Sequence, residues 1–330
     1  MRLLKIGILV ATAAAFLVTP AAVAGEIVIK FSHVTSGKKH PKYLAAEEFA
    51  KRVNERMKGK VRVEVYPGGQ LFNDTAVLIE LIKGKAVHMA APSLSKFESI
   101  TKKFRIFDLP FLFDDIEAVN AFQASGHGKA ILKSLKKKGI LGLAYWHNGM
   151  KQMSANKPLI APADAKGLKF RVQQSDVLVA QFKQLGATPQ KMAFKEVYGA
   201  LQTGVVDGQE NTWSNIYSKK FFEVQDGVSE TDHGIIDYAV LVSLRFWKGL
   251  PDAIRSQLAA IVAEVTAERN GLARKLNLEN RRKILDAGGK IRTLTPKQRA
   301  AWRQAMKPVW GEFSGGIGTD LIEAAQSFNK

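Results

Sequence analysis

The sequence predicts a two-lobed α/β fold with a hinge and a long helix that spans both lobes. Strand-like and helix-like segments alternate from residue 27 onward, and the same pattern restarts after residue 140. The length of 330 residues agrees, because a chain of this size is expected to form more than one hydrophobic core. No low-complexity linker separates the halves, which favours a hinge made of crossing segments.

The first half reads as a β-α-β-α-β unit. Ile27, Ile29 and Phe31 have the two-residue period of a strand, and apolar residues at helical spacing follow Pro41. The predicted elements are a strand at 27–31, a helix from Pro41 to near Gly59, a strand at 61–65, a helix capped by Asn73 or Asp74 and running to about Lys83, and a short buried strand at 88–91.

The second half repeats this alternation and adds long helices. The predicted elements are strands at 141–146 and 169–172, a helix at 176–185, a helical segment at 194–203, a strand at Val205–Val206, a helix over about 252–287, and a last helix that begins at the capping box Thr295–Gln298. The helix at 252–287 is unusually long, so it either breaks near Gly271 or spans both lobes.

The first 24 residues predict a secretory signal peptide. Arg2 and Lys5 form a basic start, about 13 apolar residues follow, and Ala22–Ala24 provides small residues for cleavage before Gly25. The alternative is a membrane anchor, but the apolar run is shorter than the roughly 20 residues of a spanning helix. We therefore expect an exported mature chain.

Composition excludes several classes of function. The chain has no cysteine, so thiol catalysis, thiolate zinc sites and iron–sulfur clusters are excluded. The formal charge of +19 falls to +17 once Arg2 and Lys5 are removed. Such a charge suits nucleic acid or an anionic surface, but the basic residues are scattered without interleaved aromatics. We expect a solvated positive surface and no nucleic-acid partner.

The sequence shows no catalytic motif, and it predicts no enzyme activity, cofactor or metal. A nucleophile elbow, a phosphate loop and a zinc-protease helix are all missing, and Gly315–Gly318 lacks the strand that a dinucleotide site needs. The six histidines never pair at metal-ligand spacing, and for Asp232, His233 and Asp237 a hydrogen-bonding loop is favoured over a metal cluster. The alternative from another class is an exported hydrolase that uses His33 or His233 with a nearby acid.

Polar and cationic residues cluster just beyond predicted strands of the second half. Lys151 follows the strand that ends at Trp146, Arg171 alternates with apolar neighbours, and Asn211 and Trp213 follow Val205–Val206. Strand ends of open α/β sheets are common ligand sites. The cluster therefore predicts a binding site, although each residue taken alone could be a surface charge or a turn.

Several longer motifs resemble the DctP-type solute receptors of TRAP transporters. The resemblance covers essentially the whole mature chain, and the run that ends at Asn211 is its most specific part. The matching segments are FSHV at 31–34, APSLSKF at 91–97, FDLPFLF at 107–113, WHNGMKQ at 146–152, SANKP at 154–158, GLKFRV at 167–172, MAFKEVY at 192–198 and LQTGVVDGQEN at 201–211.

The resemblance implies a periplasmic-binding-protein-like fold and a receptor function. Such a receptor is a periplasmic monomer that closes around a small (di)carboxylate such as succinate, fumarate or malate and delivers it to TRAP membrane permease subunits. The expected division assigns 25–148 plus 237–276 to lobe I and 149–236 plus 277–330 to lobe II. Receptors of the same family for a keto-acid or a larger carboxylate remain the alternative, and a sensor module is a further one.

The resemblance also implies roles for five residues of the second lobe. Arg171 matches the arginine that pairs with the ligand carboxylate through two bonds, and Asn211 matches an asparagine that orients the same group. Lys151 stands where the C4-dicarboxylate branch has lysine, as a second charge on that carboxylate. Phe194 matches a ring of the cleft wall, and His233 matches a histidine on the hinge side.

From the first lobe, Lys42 and Ser93 are expected to contribute ligand contacts. Lys42 resembles a lysine of the dicarboxylate branch that would meet the second carboxylate. The sequence departs from the family pattern at Val34–Lys39 and at Thr212, where proline is usual. These departures leave the size of the ligand open.

Overall fold

The computed structural model describes residues 25–330, and the predicted signal peptide lies outside the described residues. Its strands form two separate sheets. The strands are β1 (Ile27–Ser32), β2 (Val61–Tyr66), β3 (Met89–Ala90), β4 (Ile140–Met150), β5 (Gln152–Ala155), β6 (Lys169–Val172), β7 (Thr188–Lys191), β8 (Gly208–Asn211), β9 (Gly227–Glu230), β10 (Ile235–Ser243) and β11 (Ile291–Thr293).

The helices cover the faces of these sheets. They are α1 (Pro41–Arg56), α2 (Ala76–Lys83), α3 (Ile116–Ala124), α4 (Gly126–Ser134), α5 (Asp176–Gln184), α6 (Val197–Gln202), α7 (Trp213–Ser218), α8 (Leu244–Gly249), α9 (Asp252–Asp286), α10 (Pro296–Met306), α11 (Val309–Ile317) and α12 (Thr319–Gln326). No helix within 25–330 is long and apolar enough to cross a membrane.

The first sheet has the order β2-β1-β3-β10-β4 and defines what we call the first lobe. β1 pairs in parallel with β2 and β3, whereas β10 is antiparallel to β3 and β4. Side chains of β10 alternate between two hydrophobic cores: Val240 and Val242 face α1 and α9, and Ala239 and Leu241 face the opposite core. The predicted helices on both sides of the sheet are therefore confirmed.

The second sheet has the order β11-β9-β5-β8-β6-β7 and defines the second lobe. β6 pairs in parallel with β7 and β8, and β5 is antiparallel to β8 and β9. Phe170 and Val172 of β6 enter the core shared with α5 and α10, and Val228 of β9 belongs to a second core with α6 and α7. The two-lobed α/β class predicted from the sequence is thus confirmed.

The chain crosses between the lobes at separate points of the sequence. β4 ends at Met150 in the first sheet and β5 begins at Gln152 in the second; the return runs from β9 to β10. The exact lobe boundaries predicted above stay a prediction. Phe313 and Ile322, from the segment assigned to lobe II, pack in a core with Ala239 and Leu241 of β10.

α9 is one continuous helix of 35 residues and does not break at Gly271. Its first turns bury Leu258 and Val265 in the first lobe, and Ile284 near its end belongs to a core of the second lobe. Between these ends, Asn277 accepts from the Ser214 backbone N–H at 2.9 Å and donates to Asn148 O at 2.7 Å. α9 therefore spans both lobes and ties them together through a polar contact.

Two shorter elements differ from the sequence prediction. The predicted strand at Val205–Val206 is wrong: these residues lie in a loop, Val205 is half exposed, and the strand begins at Gly208. The predicted helix at 194–203 divides into a 3-10 turn at Phe194–Glu196 followed by α6. Two adjacent β-branched residues favour a strand locally, but the sheet pairing begins after Asp207.

Gly149→Ala is expected to lower the free energy of unfolding by about 1–3 kcal/mol. A Cβ at Gly149 would stand 1.7 Å from Nδ2 of Asn277, so the amide that joins β4 to α7 must move. Urea unfolding measures the change. Gly271→Ala on the same helix as Asn277 is the matched control, since its Cβ meets nothing within 4 Å and loss of a helical glycine stabilises by about 0.5–1 kcal/mol. Equal effects of the two changes would contradict the role of Asn277.

Candidate functional site

A cavity of about 350 Å³ lies between the two lobes. A volume of this size suits a small organic ligand. The first lobe contributes Thr35, Lys42, Asp74, Ser93, Lys96 and Tyr238, and the second contributes Arg171, Gln173, Gln174, Phe194, Asn211 and Asn215. A molecule in this cavity would touch both lobes at once.

Arg171 presents a free edge of its guanidinium at this cavity. The period of β6 sends Phe170 and Val172 into the core and Arg171 to the other face, where the arginine is 1% exposed. Its Nε and Nη2 both donate to the Met192 carbonyl, at 3.2 and 3.0 Å. Nη1 has no hydrogen-bond partner among residues 25–330. The side edge of the guanidinium, formed by Nε and Nη2, is therefore occupied by the Met192 carbonyl. The end edge, formed by Nη1 and Nη2, remains for a carboxylate.

Arg171 stays charged in this setting. Burial lowers its pKa to about 10, although the charges of Glu210, Asp74 and Glu196 act in the opposite direction. A group with that pKa is protonated at neutral pH. The cavity therefore contains a fixed positive charge with directed donors.

Lys42 and Ser93 provide the polar wall of the first lobe. Nζ of Lys42 donates to Ala91 O at 3.0 Å, lies 3.8 Å from Oδ2 of Asp74, and stands 3.9 Å from the centre of the Tyr238 ring. Burial lowers the pKa of Lys42 to about 8, and Asp74 partly offsets this effect. The Ser93 backbone donates to Asp74 at 3.2 Å, while its Oγ has no partner among the described residues.

Lys96 is a third buried cation of the cavity, and the sequence pattern did not single it out as a site residue. It is 4% exposed, and its Nζ donates to Oε1 of Gln174 in the other lobe. The segment APSLSKF gave a signal, because it carries Ser93 and Lys96 together on one 3-10 turn that follows β3. That spacing alone did not distinguish Lys96 from a surface lysine.

Asn211 and Phe194 also line the cavity, as the predicted site requires. Asn211 is the last residue of β8 rather than a residue beyond it, and its Oδ1 accepts from Asn215 Nδ2 at 2.6 Å. Nε2 of His40, from the first lobe, lies 2.7 Å from Oδ1 of Asn215. Phe194 is half-buried in the 3-10 turn before α6. Five of the predicted residues therefore meet at one cavity: Lys42, Ser93, Arg171, Phe194 and Asn211.

The other three predicted residues lie outside the cavity lining. Nζ of Lys151 is 3.0 Å from both carboxylate oxygens of Glu210, and Nε2 of His233 is 2.8 Å from Oε2 of the same residue. Successive side chains of β8 point to opposite faces, so Glu210 and its two partners lie behind the sheet face that carries Asn211. Trp213 is buried in the core of α6 and α7. The structure thus places Lys151, His233 and Trp213 outside the lining of this cavity, and their predicted ligand contacts stay a prediction.

The charge of Glu210 is stabilised by these two partners. Burial by itself raises the pKa of this carboxyl, but the Lys151 charge and the hydrogen bond from His233 outweigh burial and bring it to about 2. Burial also lowers the pKa of His233 against the opposing effect of Glu210, which disfavours the charged imidazole. Its Nδ1 lies 2.7 Å from the Thr231 hydroxyl, which leaves Nε2–H to donate to Glu210. The cluster neutralises itself and offers no free charge to a ligand.

Buried charges of the cavity are unbalanced. Lys42, Lys96 and Arg171 are cations, and Asp74 is the one buried carboxylate among the described lining residues. With all four ionised the excess is two positive charges. Buried like charges without counterions are unfavourable, so the cavity is suited to a doubly charged anion. Within residues 25–330, no group of three or more His, Asp or Glu side chains is arranged to hold a metal ion.

Comparison with known proteins agrees with this chemistry. Residues 31–315 match the family described as bacterial extracellular solute-binding protein, family 7. The C4-dicarboxylate-binding periplasmic protein DctP of Vibrio cholerae is 60% identical over 306 residues, which cover 93% of this chain and 92% of the relative.

Two solved structures are similar over most of the chain. A TRAP periplasmic solute-binding protein from Shewanella oneidensis with bound succinate has a TM-score of 0.90 and 49% identity, covering 92% of this chain and 100% of that one. A TRAP periplasmic solute-binding protein from Pseudomonas aeruginosa with bound L-malate has a TM-score of 0.83 and 48% identity, covering 87% of this chain and 99% of that one.

Proposed function

Since the chain belongs to the family 7 bacterial extracellular solute-binding proteins, we propose that it is the receptor of a TRAP transporter and captures a C4-dicarboxylate such as succinate, fumarate or malate. One observation carries the proposal beyond family membership. A buried arginine with a free end edge stands in a cavity that has two excess positive charges when its buried side chains are ionised. A short dianion supplies the two missing negative charges.

The proposed binding mode divides the ligand between the lobes. Nη1 and Nη2 of Arg171 pair with one carboxylate, because the planar fork matches two carboxylate oxygens. Asn211 holds the adjacent wall of the second lobe through its bond with Asn215. Lys42 and the Ser93 hydroxyl receive the other carboxylate from the first lobe. Phe194 covers the hydrocarbon part of the ligand.

Ligand contact with both lobes would couple binding to closure. A ligand shifts an open–closed equilibrium only through contacts that differ between the two states. Arg171 belongs to the second lobe and Lys42 to the first, so a dicarboxylate makes its full set of contacts only when the lobes meet. Hinge closure of this type is common in periplasmic receptors, and it would let permease subunits distinguish loaded from empty protein.

The same proposal includes the cellular setting. The protein works as a non-catalytic monomer in the periplasm, exported by the signal peptide of residues 1–24, and delivers its ligand to membrane permease subunits. Support comes from the relatives, whose names place them in the periplasm. The exported hydrolase with His33 or His233 is less favoured, because His233 already bonds Thr231 and Glu210 in a buried cluster. Esters and amides incubated with the protein should be recovered intact.

Thermal denaturation with a panel of organic acids tests the proposed ligand class. A ligand present at about 100 times its Kd and bound only by the folded state adds about 2.7 kcal/mol to its stability. We expect succinate, fumarate or malate to raise Tm and butyrate, which has the same carbon chain and one carboxylate, to have a much smaller effect. A keto-acid or larger carboxylate that raises Tm more than the dicarboxylates would select the alternative receptor. No shift with any acid would contradict the proposal.

A further inference from the structure

Lys96 occupies a position in the cavity that the binding mode above does not use. Its 3-10 turn belongs to the first lobe, and its ammonium bonds Gln174, which follows β6 in the second lobe. Gln174 is a neutral partner, so this bond leaves the charge of Lys96 uncompensated. The lysine also lines the same cavity as Arg171.

The surroundings of Lys96 disfavour the charged form of its side chain. Burial has the largest effect, the charges of Arg171 and Lys42 add to it, and Asp74 and Asp108 oppose it; together they lower the pKa of Lys96 to about 7. Asp108 offers limited help, because burial raises the pKa of its own carboxyl and its oxygen accepts from the Ser95 hydroxyl. At neutral pH the ligand-free protein is therefore a mixture of charged and neutral Lys96.

A dianion in the cavity reverses this balance. Two negative charges within a few ångströms favour the ammonium form of every nearby lysine. The neutral Gln174 oxygen is a weaker acceptor for an ammonium than a carboxylate is. A ligand carboxylate would thus replace Gln174 as the partner of Lys96, and a proton taken from the solvent would complete the ammonium.

We infer that Lys96 selects doubly charged ligands: beside Lys42 and Ser93 it binds the carboxylate distal to Arg171, and it takes up a proton as the ligand enters. The inference rests on the proposed function, since it needs a dicarboxylate in this cavity. A monocarboxylate held at Arg171 would leave Lys96 without a counterion. Affinity for a dianion should then depend on pH in a range where the ligand itself no longer titrates.

The sign of this dependence follows from linkage. Below about pH 7 Lys96 already carries its proton, so dianion affinity is at its maximum there. Above that pH each binding event must bring a proton to Lys96, and Kd rises by up to about tenfold per pH unit. Lys42, with a pKa of about 8, adds to the effect only at higher pH. His40, with a pKa of about 3, is neutral throughout this range.

Calorimetry of succinate binding at pH 7.5 in buffers of different ionisation enthalpy tests the inference. The unsubstituted protein should take up a substantial fraction of a proton and bind more weakly at pH 8 than at pH 6.5. Lys96→Met should weaken succinate binding at least about tenfold at pH 6.5, reduce proton uptake at pH 7.5, and change butyrate binding little. Lys103→Met, an exposed lysine of the same lobe, is the matched control and should resemble the unsubstituted protein.

The outcomes separate this inference from the proposed function. Failure of the unsubstituted protein to bind any dicarboxylate would remove both. Tight succinate binding without proton uptake at pH 7.5 would overturn the role of Lys96 alone, and this measurement needs no variant. The role of Lys96 is equally overturned if folded Lys96→Met, checked by its Tm, retains both the affinity and the proton uptake. Because the substitution removes a buried cation near Arg171, we expect its ligand-free Tm to be unchanged or higher.

Discussion

Arg171→Ala is expected to weaken succinate or malate binding by at least about a hundredfold, or about 3 kcal/mol. The substitution removes the fork whose end edge is free, and it leaves the ligand carboxylate buried without its main donors. Arg171→Lys keeps a positive charge but presents one point donor, so it should bind more weakly than the unsubstituted protein and more tightly than Arg171→Ala. Isothermal titration calorimetry at pH 6.5 measures all three affinities.

A control for this experiment lies on the surface. Arg62 is an exposed arginine of β2 that pairs with Glu26 and Glu64, so Arg62→Ala should leave the affinity unchanged. Tm values of the free variants show whether each is folded. Unchanged succinate affinity in a folded Arg171→Ala variant would show that the guanidinium is not the anchor of the carboxylate.

Glu210→Gln is expected to destabilise the protein by about 3–5 kcal/mol, because it leaves the Lys151 ammonium buried without its counterion. Lys151 and Glu210 are 1% and 0% exposed as side chains, and no solvent screens the pair. Thermal unfolding should show a Tm drop on the order of 10 °C. Glu264→Gln weakens the ion pairs of an exposed carboxylate with Arg56 and Arg52 and should change stability by less than about 1 kcal/mol.

The same carboxyl predicts a pH dependence of stability. Its pKa in the folded protein, about 2, lies below its usual 4.5, so its stabilisation is complete above pH 4.5 and is lost as the pH falls toward 2. Urea unfolding at several pH values should give a shallower loss of stability below pH 4.5 in Glu210→Gln than in the unsubstituted protein. Parallel acid curves for the two proteins would contradict the assigned ion pair.

Periodicity and capping predicted most of the fold. The two-residue period placed β1 and β2 correctly, and the capping box at Thr295 with Pro296 marked the start of α10. Local sequence signals predicted the wrong structure where pairing with a distant strand determines the element. Val205 and Val206 have strand propensity, yet the partner strand β5 begins to pair only at Gly208. Whether the helix continues through Gly271 depends on packing against both lobes, and no local sequence pattern reveals that packing.

Site residues on strands could be predicted from the alternation of core and non-core side chains along the strand. Arg171 lies between two core residues on β6, so its side chain had to leave the core. Lys151 looked equivalent from the sequence, but its charge is balanced by Glu210, which is distant in sequence and faces the same side. The opposite error concerns Lys96, which the sequence did not predict as a site residue. Its side chain is buried because the two lobes meet there, and no periodic pattern in the sequence indicates that contact.

The position of β10 in the first sheet has a consequence for the order in which the chain acquires structure. β10 lies between β3 and β4, so residues 235–243 complete a sheet whose other strands all lie before residue 151. A nascent or truncated chain that stops before residue 235 would expose the unpaired edges of β3 and β4, which are prone to association. The lobe that comes first in the sequence would therefore be unable to complete its sheet until β5 to β9 of the second lobe have been synthesised.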